Sequence, residues 1–194
     1  MRALAVLRRA FIVPVLVAAL PLAAQAPAPG VASAATGPKV KELTDLLQAK
    51  KLETFAAADE SKPNRYVAVT FIPGVQLMAV AATYSRQSDM TSNLYHKAYQ
   101  NLYLDLKSGV YSTERFYIVD TMGDGLVMLP QKNAAVTDTA AIDGKEHVFD
   151  GDFIGSRIRN RKKVPAETYS KAFADADAQY AHLLDVLIAA LKKS

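Results

Sequence analysis

The sequence predicts an α+β domain: a small, mainly antiparallel β-sheet covered by an N-terminal helix and a long C-terminal helix. Three observations carry this. Two apolar runs, Tyr66–Ile72 and Val75–Tyr84, flank Pro73-Gly74 and read as a strand pair. Val40, Leu43, Leu46, Leu47 and Phe55 recur near helical spacing before them. After Pro165, Phe173, Ala176, Tyr180, Leu184, Leu187 and Leu191 recur at steps of three or four.

Taken in order, Arg2, Arg8 and Arg9 precede an apolar stretch from Phe11 to Leu20, and small residues follow. That is the layout of a secretory leader. The apolar stretch is too short to span a bilayer, which takes roughly 20 residues. Candidate A-x-A cleavage sites are Ala24-Gln25-Ala26 and Ala32-Ser33-Ala34; Pro27 hinders the first. Cleavage is therefore expected between about residues 24 and 35, with 1–34 as leader and 35–194 as one domain. Arg8-Arg9-Ala10-Phe11-Ile12 resembles a twin-arginine export signal, although Leu7 stands where Ser or Thr is usual; ordinary unfolded export is the expectation. The predicted location is periplasmic or extracellular.

Residues 27–38, rich in Ala, Pro and Gly, read as flexible linker or leader remnant. The first helix is expected over roughly 39–58, stopped by Asp59, Ser61, Lys62, Pro63 and Asn64. The strand pair follows. Its second run is apolar on almost every residue, which implies burial on both faces. A short helix is expected from Thr91 to Tyr99, then a strand at Leu102–Leu106, a turn at Lys107–Gly109 and a strand at Arg115–Asp120. Met122–Gly125 reads as a turn and Leu126–Leu129 as a short strand ended by Pro130. Glu146–Phe149 is a further strand between two Asp-Gly turns, and Gly155–Lys163 reads as basic loop or a helical turn. Pro165 opens the last helix, with Glu167 in its first turn and Lys192-Lys193 at its end, as the helix dipole favours.

Charge and cysteine content narrow the function classes. Removing Arg2, Arg8 and Arg9 from 23 Lys+Arg leaves 20 against 19 Asp+Glu, so the domain is nearly neutral and nucleic acid is not an expected partner. With no cysteine there is neither a disulfide framework nor an N-terminal lipid anchor. The fold must stand on its core, for which about 160 residues suffice.

The order helix, strand pair, short helix, strand pair, together with the run Leu77–Tyr84, Ser85–Gln87 and Tyr103–Leu106, resembles the FMN-binding split barrel of pyridoxamine-phosphate-oxidase-like proteins over roughly residues 40–130. The resemblance implies a split barrel as the alternative form of the sheet, and FMN or haem as cofactor. It also implies that Arg86 and Ser88, beside Tyr84, hold a flavin phosphate, with a flavin- or haem-binding reductase as the alternative function. Pro73-Gly74 reverses the order of the family's Gly-Pro hairpin, and the long C-terminal helix is not a family feature. More broadly the chain looks like an exported bacterial protein.

Other candidate groups have plainer readings beside them. His96, His147 and His182 lie on separate elements without ligand spacing and read as surface histidines. Asp120, Asp124, Asp150 and Asp152 could gather at one end of the sheet as calcium ligands, but Asp-Gly is first a turn dipeptide. Tyr95, Tyr99 and Tyr103 are either core or a stacking stripe for a planar ligand. Arg157, Arg159, Arg161, Lys162 and Lys163 form either a solvated loop or an anion or envelope contact. Ser85, Ser88, Ser112 and Ser170 have no nucleophile-elbow or S-x-x-K context. The expectation is a non-catalytic binding or interaction protein with a small anionic or planar ligand. Its oligomeric state, dimer included, is open. Any site is expected where the second strand ends, at Tyr84–Asp89, where polar groups meet a helix N-terminus.

Overall fold

The computed structural model describes residues 28–83, 116–131, 137–142, 145–151, 153–154 and 162–194. Among the described residues, two helices and one antiparallel sheet make up the fold. Helix α1 spans Gly37–Ala49. The strands are β1 (Thr54–Ala58), β2 (Arg65–Ile72), β3 (Gln76–Thr83), β4 (Phe116–Thr121), β5 (Thr139–Ile142), β6 (Lys145–Val148), β7 (Phe153–Ile154) and β8 (Lys162–Lys163). Helix α2, Ala166–Lys193, closes the chain. Each strand pairs with the next in sequence, always antiparallel. Among the described residues no pairing joins β8 back to β1, so the sheet is open.

The β2–β3 hairpin carries the longest pairing of the sheet. Its register runs from Arg65 opposite Thr83 to Ile72 opposite Gln76. Gly74 takes the corner with φ of 70°, a conformation that glycine adopts without steric cost. Alternate residues serve two different clusters. Val67, Val69, Phe71, Leu77, Ala79 and Ala81 join α1 and α2 in the main core. Ala68, Met78, Val80 and Ala82 join Tyr117 and Ala141 in a second buried cluster on the opposite face. The unbroken apolarity of the hairpin is thus burial on both faces, as its sequence implies.

Helix α2 is 28 residues long, about 42 Å at 1.5 Å per residue. Tyr169, Phe173, Ala176, Tyr180, Leu184, Leu187 and Leu191 form its buried stripe. Val40, Leu43 and Leu47 of α1 pack into the same cluster. Lys39 pairs with Asp185, and Lys192 with Glu42, along the outer edge of the helix pair.

Several expectations are corrected. Helix α1 ends at Ala49, and Lys51 takes φ of 55°, which terminates the helix. Thr54–Ala58, expected as its last turns, is the strand β1, held in register against Tyr66–Thr70. Tertiary pairing overrides the helical preference of three alanines. Leu126–Leu129 is not a ladder strand: Val127 makes an isolated bridge to Ala32. Two of the residues expected as linker, Ser33 and Thr36, are buried. Lys162 and Lys163, expected in a loop or helical turn, form β8. His147, expected on the surface, is buried on β6. Strand β5, in a stretch with no clear period, was not foreseen. The short helix at 91–99, the strand at 102–106 and the turn at 107–109 lie outside the described residues.

Candidate functional site

Two buried polar clusters and one groove carry the polar chemistry of the described residues. The first cluster sits where β1 turns into β2. Asp59 leaves β1 and Arg65 opens β2, and the Asp59 amide donates to the Arg65 carbonyl at 2.9 Å. The Asp59 carboxylate then gathers the turn. Its Oδ1 accepts the Ser61 amide at 3.0 Å. Its Oδ2 accepts from Nη1 of the buried Arg65 and meets His182 Nε2 of α2 at 2.9 Å. Burial alone would raise the Asp59 pKa; hydrogen bonds from Ser61, His182 and Arg65 outweigh it and hold the carboxyl well below its ordinary range.

An ionised carboxylate can only accept, so the His182 nitrogen facing it carries a proton. In the neutral ring, Nδ1 is then the acceptor. Among the described residues nothing takes that nitrogen, and the side chain is 43% exposed. Ser61 Oγ lies 3.4 Å from Nε2, the same nitrogen that meets Asp59. A serine-histidine-aspartate relay needs its serine and aspartate on opposite ring nitrogens. The trio here is therefore an orienting clamp, not a nucleophile-activating relay.

The clamp forms one end of a groove of about 620 Å³ between the β1 end and the last turns of α2. Ala57, Ala58, Val186, Ala189 and Ala190 supply apolar lining; Asp59, Glu60, Ser61, His182, Lys193 and Ser194 supply polar groups. Both volume and lining suit a small molecule with an apolar body and few polar atoms.

The second cluster lies under the Thr121–Val127 turn. Asp120, one residue before the end of β4, is buried, and its Oδ2 accepts the Tyr180 hydroxyl at 2.9 Å and the Gly125 amide at 2.9 Å. Its Oδ1 accepts the Asp124 amide at 3.2 Å. Asp138 accepts the Thr121 amide at 2.8 Å and the Val127 amide at 2.7 Å. Gly125 takes φ of 109° here, and an added Cβ would fall 2.6 Å from the Gly37 backbone. Burial pushes Asp120 up to about 7, against the pull of its Tyr180 and amide donors and with repulsion from Asp124. Asp138 is raised well above its ordinary value by burial and then by Asp120. Burial also raises Asp124. No ion pair reaches these three acids among the described residues. A recess of about 260 Å³ beside Asp124, Asp138 and Gln131 opens here.

The expected gathering of acids is partly met. Asp120 and Asp124 meet, with Asp138 as the partner that sequence reasoning missed. Asp150 lies in a separate turn after β6. Among the described residues no group of three or more His, Cys, Asp or Glu is arranged to hold a metal ion. The buried His147 has its pKa lowered by burial and then by Lys145. Tyr84, Arg86 and Ser88, the expected cofactor contacts, lie outside the described residues. So do Ser85, His96, Ser112, Asp152, the tyrosines 95, 99 and 103, and Arg157–Arg161. Ser170 lies on α2 beside a third recess, near Tyr169. No helix among the described residues is long and apolar enough to cross a membrane.

The sequence signal for the Asp59–Arg65 pair was a charged residue at each side of a turn, directly before an apolar strand. Nothing local marks His182 as their partner, 123 residues from Asp59. No protein-family model, curated protein or solved structure matches the chain.

Proposed function

We propose that the chain is an exported, non-catalytic binding protein whose groove beside His182 takes a small amphipathic molecule. The observation that carries this reading is the groove itself: an apolar floor ending at a histidine fixed by a buried carboxylate. Asp59 sets the tautomer, so the neutral ring offers Nδ1 as an acceptor. The ligand that fits has an apolar body and a hydrogen-bond donor, a hydroxyl or an amine, at its head. Export is supported by Arg2, Arg8 and Arg9 ahead of the Phe11–Leu20 run and the small residues after it.

The test uses N-phenyl-1-naphthylamine, an apolar fluorophore with one N–H donor. Titration of the purified protein should give a saturable rise in fluorescence. Ala190→Phe, which fills the floor from a partly exposed helix position, should weaken binding by about tenfold, or 1.4 kcal/mol, and leave the melting temperature unchanged. Equal affinity in the variant would remove the groove as the site.

A further inference from the structure

We infer that Gly30–Thr36 is a permanent part of the mature protein, and that the leader is removed upstream of it rather than after Ala34. This rests on the export reading above. Four residues of one candidate cleavage region, Gly30, Ala32, Ser33 and Thr36, make specific contacts with the domain. The Gly30 amide donates to the Leu129 carbonyl, and the Ser33 amide to the Leu126 carbonyl at 2.9 Å. Ala32 bridges Val127. Ser33 Oγ donates to Asp177 Oδ2 of α2 at 2.6 Å, and Thr36 Oγ1 to Oδ1 of the same carboxylate at 3.1 Å. Thr36 Oγ1 also accepts the Leu126 amide at 3.0 Å.

The fit is particular to these residue types. Gly30 has φ of 72°, and a Cβ there would meet the Gln131 side chain at 2.2 Å. A discarded leader has no need of such complementarity. Cleavage after Ala34 would strip Asp177 of its shorter hydrogen bond and remove the bridge to Val127, leaving Thr36 as the last residue of this stretch tied to Asp177 and Leu126. Upstream, Ala24 and Ala26 offer small residues before the bond to be cut. Hydrolysis adds water across that amide. It leaves a carboxylate on the leader and a new amino terminus on Gln25 or Pro27, with Pro27 disfavouring the latter.

The experiment expresses the full chain with its own leader in a Gram-negative host and determines the amino terminus of the periplasmic product by intact mass. A start at or before Gly30 is expected. A start at Val31 or beyond overturns the inference and leaves export standing. An unprocessed chain confined to the cytosol overturns the export reading and the inference together. In the processed protein, Gly30→Val should lower the melting temperature by several degrees; an unchanged value shows that the segment is not part of the fold and overturns the inference as well.

Discussion

Asp59 and Asp120 are both buried carboxylates, and their surroundings push them in opposite directions. Asp59 accepts hydrogen bonds from Ser61, His182 and Arg65 that outweigh its burial, and its pKa falls. Asp120 faces a neutral phenol, two amides and two other acids, and its pKa rises to about 7. The consequences for stability have opposite signs. Asp59 binds protons less tightly folded than unfolded, so its contribution is present above the ordinary carboxylate range and is lost in strong acid. Asp120 binds a proton more tightly when folded, so its contribution is full below about pH 4 and is lost as pH rises through about 7. Between pH 4 and 7 the urea midpoint should therefore fall. Asp120→Asn should flatten that fall by up to about 1.4 kcal/mol per pH unit, whatever it does to stability at one pH. A parallel slope in wild type and variant would contradict the assignment. Asp59→Asn removes a charge partner of a buried arginine and should cost about 3–5 kcal/mol in urea unfolding at pH 7. Asp120 was legible in the sequence as the one acid ending an apolar strand. Its partners Asp138 and Tyr180 were not, because each arrives from a different element.

At the scale of elements, periodicity located the strongest signals and failed where pairing decides. The hairpin at Arg65–Thr83 and the helix at Ala166–Lys193 stand where the apolar patterns put them. Thr54–Ala58 went the other way, since its three alanines favour a helix and only the neighbouring β2 makes it a strand. The Ala- and Gly-rich composition of residues 28–36 likewise suggested linker, while Ser33 and Thr36 are bound by Asp177, a residue more than 140 positions away. Leu184 is fully buried at the middle of the α2 stripe. Leu184→Asp should cost more than about 4 kcal/mol, through lost packing and an unpaired buried charge. Circular dichroism should show an unfolded chain at 25 °C or a much lower melting temperature; a normal melt would mean that α2 is not packed as described.

At the scale of the whole molecule, the two helices lie on one face of the sheet, and the end of α2 passes the β1–β2 corner. That passage makes the groove. Its position could not be read from the sequence, because Ser61 and His182 are 121 residues apart and meet only in the fold. The sequence directed attention to the exit of β3 at Tyr84–Asp89, whereas the described groove lies at the β1 edge beside α2. The central claim is that His182, held by Asp59, receives the polar head of a ligand seated on Ala190 and Val186. Nitrogen-15 NMR of the imidazole rings during titration with N-phenyl-1-naphthylamine tests it most directly. The expected result is a saturable shift of the His182 Nδ1 resonance, with His147, buried on β6, unmoved. Binding that leaves His182 unshifted, or that shifts His147 equally, would contradict the claim.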